Sequence, residues 1–127
     1  MKYAVDFDRT LITFHYSDFH TLQDLLDGRR HSLCLFLQTA LNSGHEVGIV
    51  TFNHRTDTIQ EFVKRIWPHH AIPVIGYLPN TIDQGKTEHI RKLYPNTDPE
   101  NICLVDDSFH NIEVAIKEGF KTWYIKD

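Results

Sequence analysis

The chain has 127 residues, a formal net charge of −4, and 41% hydrophobic and 24% charged residues. That suffices for one domain, read as spanning 1–127, and is too little for two. The acidic balance provides no global basic field to recruit nucleic acid or an anionic membrane.

The opening MKYAVDFD reaches Asp6 without the apolar core of a signal peptide. No run approaches the ~20 apolar residues of a membrane span. Tyr3, Ala4 and Val5 suit a short buried strand. It runs into Asp6 and Asp8, which alternation along an extended chain puts on one side of the backbone, with Thr10 behind them. Carboxylates so close resist joint ionisation unless a cation or a proton sits between them. Short of that, the same residues would suit a capped strand end leading into a turn.

Ile12 to Arg30 is the least regular segment, with Phe14, His15, Tyr16, Phe19 and His20. It is too short for a domain of its own, since domains run to about 50 residues or more. It reads as a short flap whose aromatics pack it onto the body. Contact with a substrate is the alternative. Ser32 to Asn42 follows as a helix, with Leu33, Phe36, Leu37, Ala40 and Leu41 at helical spacing and Ser43-Gly44 as its stop. Glu46 to Phe52 is a second strand with Thr51 near its end.

Asp57 to Trp67 is a helix with Thr56 as the expected N-cap. Ala71 to Gly76 is a third strand, which Pro73 assigns to a sheet edge. Thr87 to Tyr94 is a helix with Lys86 at its start. Asn101 to Val105 is a fourth strand leading into Asp106 and Asp107. Phe109 to Glu118 is a helix and Lys121 to Ile125 a fifth strand.

Strands alternate with helices throughout. The expected fold is α/β, a doubly wound three-layer sandwich on a parallel five-stranded sheet. The expected strand order is 3-2-1-4-5. Ligands then bind beyond the carboxyl ends of strands one and four, at the switch point, where Asp6 and Asp106 lie. Cys34 and Cys103 sit among apolar neighbours and read as buried free thiols of a reducing, cytoplasmic setting. The nine histidines are scattered, without H-E-x-x-H or paired cysteines, and define no zinc site. GKT at 85–87 is not the end of a P-loop, because position 80 is Asn80 and not glycine.

Asp6-Phe7-Asp8-Arg9-Thr10-Leu11 resembles the first motif of the haloacid dehalogenase-like (HAD) phosphatases. Thr51 in IVTFN, Lys86 in GKTEHI and Asp106-Asp107 in LVDDS follow in the order of that family's other three motifs. The resemblance covers nearly the whole chain and implies a small capless member. It also implies a Mg²⁺-dependent phosphatase that hydrolyses a phosphomonoester through an aspartyl-phosphate.

In that scheme Asp6 is the nucleophile and Asp8 the general acid and base. Mg²⁺ is held by the Asp6 carboxylate, the Asp8 backbone carbonyl and Asp106, while Asp107 orients a water. Thr51, with Phe52 and Asn53 after it, and Lys86 bind the phosphoryl oxygens. The implied partner is a phosphorylated substrate, a small molecule or a phosphoprotein. The rival readings are a receiver-like phosphoacceptor and a catalytically weak phosphate- and Mg²⁺-binding module.

Overall fold

The computed structural model describes residues 1–79 and 81–126, so Asn80 and the terminal residue of the expected 1–127 domain lie outside it. Five parallel strands form one sheet in the order β3-β2-β1-β4-β5. They are β1 (Lys2–Val5), β2 (Glu46–Val50), β3 (Val74–Ile75), β4 (Ile102–Asp106) and β5 (Lys121–Tyr124). The helices are α1 (Leu22–Asp27), α2 (His31–Asn42), α3 (Thr56–Ile66), α4 (Thr87–Leu93) and α5 (Phe109–Lys117). The expected α/β sandwich and strand order are therefore observed. None of the described helices is long and apolar enough to cross a membrane.

Two buried apolar clusters make the two outer faces. Val5, Ile49 and Val105 meet Leu33 and Leu37 of α2 and Ile59 and Phe62 of α3. Ala4, Val50 and Leu104 meet Ile90 of α4 and Ile112 and Ala115 of α5. Burying side chains such as Phe62 or Leu37 is worth roughly 1.5–3 kcal/mol each. The alternation has a consequence for chemistry. Even-numbered positions of β1 and β4 face α4 and α5, so Asp6 and Asp106 emerge on that side as the strands end.

Two glycines let α4 deliver Lys86 to this point. Gly48 pairs with Ala4 in the sheet, and a Cβ there would lie 2.6 Å from Leu93 of α4. Gly85 has φ +64°, a left-handed backbone that glycine adopts freely, and a Cβ would meet Val114 at 3.0 Å.

Several boundaries differ from the sequence expectation. Pro73 cannot donate to the ladder, and β3 pairs only through Val74 and Ile75, at the edge as expected. Thr56 is the first residue of α3, and Arg55 takes the N-cap position. Phe36 is 41% exposed and packs against Tyr3 and Trp123, with ring centroids 5.7 and 5.0 Å away.

The irregular 12–30 segment contains α1, which Thr21 and Asp24 start with a reciprocal capping box. An antiparallel bridge between Ile12 and Arg29 closes the segment at its base. Tyr16 and Leu25 are buried against the body, whereas Phe19 stands 93% exposed. Cys34 and Cys103 are free and buried, and burial pushes both thiols up to about 11.

Candidate active site

β1 ends at Val5 and the chain turns sharply through Phe7–Leu11. Phe7 enters the core, and Asp6 and Asp8 line an open cavity of about 260 Å³. Thr51, Phe52, Lys86, Asp106 and Asp107 line it too, with Arg9 and His15 at the mouth. All the expected site residues except Asn53 line this cavity.

Lys86 lies at its centre, 1% exposed. Its ammonium has three protons and gives them to Asp6 Oδ1 (2.9 Å), Asp106 Oδ2 (3.1 Å) and the Val50 carbonyl (3.1 Å). The Phe52 ring covers it, with its centroid 4.8 Å from Nζ. Burial alone would push the ammonium down. The paired charges of Asp6 and Asp106 more than offset this and hold it above its ordinary value.

The carboxylates remain in excess. Asp6, Asp106 and Asp107 each present an oxygen within 4.8 Å of the others. The Thr10 hydroxyl lies 3.0 Å from Asp6 Oδ2 and 3.2 Å from Asp107 Oδ1, and its single proton serves one of them at a time. Burial pushes the Asp6 carboxyl up to about 6; Lys86 opposes this and Asp107 adds to it. Burial likewise raises Asp106, against the pull of Lys86.

Asp106 is fixed from three sides. Besides Lys86, it accepts the Ser108 amide at 2.9 Å and the Asn111 side-chain amide at 3.1 Å. Ser108 is the N-cap of α5 and accepts from the Asn111 N–H. Asn111 thus clamps the acid that ends β4, just ahead of its own helix.

Asp8 stands apart from this cluster. Of the four carboxyl groups, those of Asp6, Asp106 and Asp107 converge, and the Asp8 side chain turns toward the flap. It accepts the Tyr16 N–H at 2.7 Å, and His15 Nδ1 lies 3.6 Å away.

Asn53 is also placed differently from its expected contact with phosphate. Its side-chain amide faces Asp8 Oδ2 at 3.3 Å and donates to the Tyr16 carbonyl at 3.0 Å. Its backbone N–H goes to Thr51 Oγ1 at 3.0 Å. Asn53 therefore orients Asp8. Thr51 keeps its own hydroxyl proton for a group in the cavity.

Sequence reading missed Arg9, Thr10, His15 and Asn111 as parts of the site. Thr10 and Asn111 carried a signal in their offsets from the acids, four residues after Asp6 and five after Asp106. His54 and His110 are exposed and do not line the cavity.

Behind the site, His89 is fully buried and its ring meets Phe52 edge-on, with centroids 5.3 Å apart. Among the described residues neither ring nitrogen has a hydrogen-bond partner, although the Gly76 and Thr51 carbonyls lie close enough to favour a protonated ring. Burial, with Lys86 adding, lowers this histidine to about 4. The unfolded chain titrates near 6.5 and binds the proton more readily, so His89 lowers stability as pH falls from 6.5 toward 4. The full loss is about 3 kcal/mol. His89→Leu should therefore melt increasingly above wild type below pH 6.5, with no widening of the gap above it. Melting curves at pH 7.5 and pH 5 check this; an equal gap at both would contradict it.

No family model matches the chain, and no curated protein sequence matches it either. Its chemistry is therefore argued from the site.

Proposed function

We propose that the protein is a Mg²⁺-dependent phosphatase of the HAD type, hydrolysing a phosphomonoester through an aspartyl-phosphate on Asp6. One observation carries the reading. A buried aspartate at the end of the central strand is gripped by a buried lysine inside a ring of further acids, beside a second aspartate held in a different, polar setting.

The donor set fits a hard divalent cation: Asp6, Asp106 and Asp107 offer only carboxylate oxygens, and one ammonium opposes them. Mg²⁺ held there would neutralise phosphoryl charge as it develops in the transfer. The residues supply the rest. The Thr51 hydroxyl donates to a phosphoryl oxygen, and Lys86, whose three protons go to Asp6, Asp106 and the Val50 carbonyl, offsets the phosphoryl charge from behind Asp6. An Asp6 carboxylate oxygen attacks phosphorus in line and forms the acyl phosphate while the ester P–O bond breaks. Asp8 gives a proton to the departing oxygen, then takes one from the attacking water, and phosphate leaves Asp6 free. Tyr16 and Asn53 hold Asp8 for both transfers.

The receiver reading is less well supported. Receiver-type sheets follow the order 2-1-3-4-5, whereas β1 here lies between β2 and β4.

The test is hydrolysis of 4-nitrophenyl phosphate with Mg²⁺ and after chelation. Activity should vanish with chelator and return with Mg²⁺. Melting should rise by several degrees with millimolar MgCl₂, because a ligand at a hundredfold excess over Kd stabilises by about 2.7 kcal/mol. Chelator-resistant hydrolysis with an unmoved melting temperature would contradict the reading.

A further inference from the structure

The turn after β1 carries an arginine where its backbone suits glycine. Arg9 has φ 57° and ψ 11°, and it is the only non-glycine residue with positive φ among those described. Such a backbone crowds any Cβ and leaves glycine free. The conformation is imposed from both ends. Arg9 N–H donates to the Phe14 carbonyl at 3.0 Å. The Arg30 guanidinium donates to the carbonyls of Arg9 at 3.1 Å and Thr10 at 2.8 Å.

The sequence has not relieved this strain, and the Arg9 side chain goes to the mouth of the cavity. It is exposed there, beside Asp8 and Asp107. Among the described residues its guanidinium makes no hydrogen bond or ion pair, even in these acidic surroundings. The Lys86 charge is already engaged by Asp6 and Asp106. Arg9 thus offers an uncommitted fork of donors, whose geometry matches a carboxylate or phosphate.

We propose that Arg9 determines specificity by receiving a second anionic group on the non-reacting part of the substrate. The inference rests on the phosphatase reading. The preferred substrate is then a phosphomonoester bearing another carboxylate or phosphate. That second anion comes from a small molecule or from an acidic neighbour in a phosphopeptide.

Two matched pairs distinguish these sources: phosphoglycolate against ethyl phosphate, and a phosphoserine peptide flanked by glutamate against its glutamine counterpart. kcat/KM is measured for each with Mg²⁺ in wild type, Arg9→Gly and Arg9→Lys. Wild type should prefer the more anionic member of at least one pair. Arg9→Gly should reduce that preference about tenfold, as for one charge-assisted hydrogen bond, and Arg9→Lys should keep part of it. Arg9→Gly should also melt higher, which separates lost selectivity from lost folding. Active enzyme with the same ratios in wild type and Arg9→Gly overturns the Arg9 assignment alone. Wild type that hydrolyses no phosphomonoester, 4-nitrophenyl phosphate included, overturns the phosphatase reading and the role of Arg9 with it.

Discussion

Asp6→Asn is expected to lower Mg²⁺-dependent hydrolysis by several orders of magnitude while leaving the fold in place. The amide keeps the shape of the carboxyl group but lacks the charge that attacks phosphorus. Residues that act as one catalytic unit show losses of this size when one of them is removed. Folding should survive for an electrostatic reason. The Asp6 carboxyl, pushed up to about 6, is itself a burden at neutral pH, because burial disfavours its charge. Lys86 retains Asp106 as a partner when that charge is gone. The melting temperature of Asp6→Asn should therefore stay close to that of wild type without metal, and it should respond less to Mg²⁺. Steady-state hydrolysis and melting curves on the same preparations check both parts. Retention of more than about a tenth of wild-type activity would remove Asp6 as the nucleophile.

The architecture was legible because its signals are periodic. Ala4, Val5, Leu104 and Val105 announce buried strands, and Ile59, Phe62 and Val63 mark a helix face. The acids, Thr51 and Lys86 were legible through their places at strand ends and at a helix start. Less visible was how side chains turn once the chain is folded. Asn53 reads as a neighbour of Thr51, and only packing of the flap brings the Tyr16 carbonyl and Asp8 to its amide. The arginine in D-x-D-R-T gives no hint that its backbone is left-handed. That follows from Phe14 and Arg30, which reach the turn from beyond it. The short helix α1 was marked by Thr21 and Asp24, but it spans too few residues to show a helical period. β3 shrank because Pro73 withholds a donor, which leaves Val74 and Ile75 to pair.

The second large effect belongs to Asp8. Asp6 is buried among charges, whereas Asp8 is held by the Tyr16 amide and the Asn53 side chain at the edge of the cavity. Two carboxyl groups in such different settings suit two different tasks. With Asp8 in place, water beside the phosphorylated Asp6 can lose its proton as it attacks. General acid–base help of this kind is worth about 10²–10⁴-fold. Asp8→Asn should slow both formation and breakdown of the acyl phosphate by factors in this range. The same variant keeps the shape of Asp8 and its contact with the Tyr16 N–H, so a loss through unfolding is not expected.

The most direct measurement is rapid-quench labelling with a ³²P-phosphomonoester in wild type and Asp8→Asn, followed through to hydrolysis. In wild type the label on the protein should appear and vanish quickly. In Asp8→Asn it should build slowly and persist. A wild-type phosphoprotein that survives for minutes, with a lifetime that Asp8→Asn does not lengthen, would contradict the hydrolase and leave a phosphoacceptor in its place.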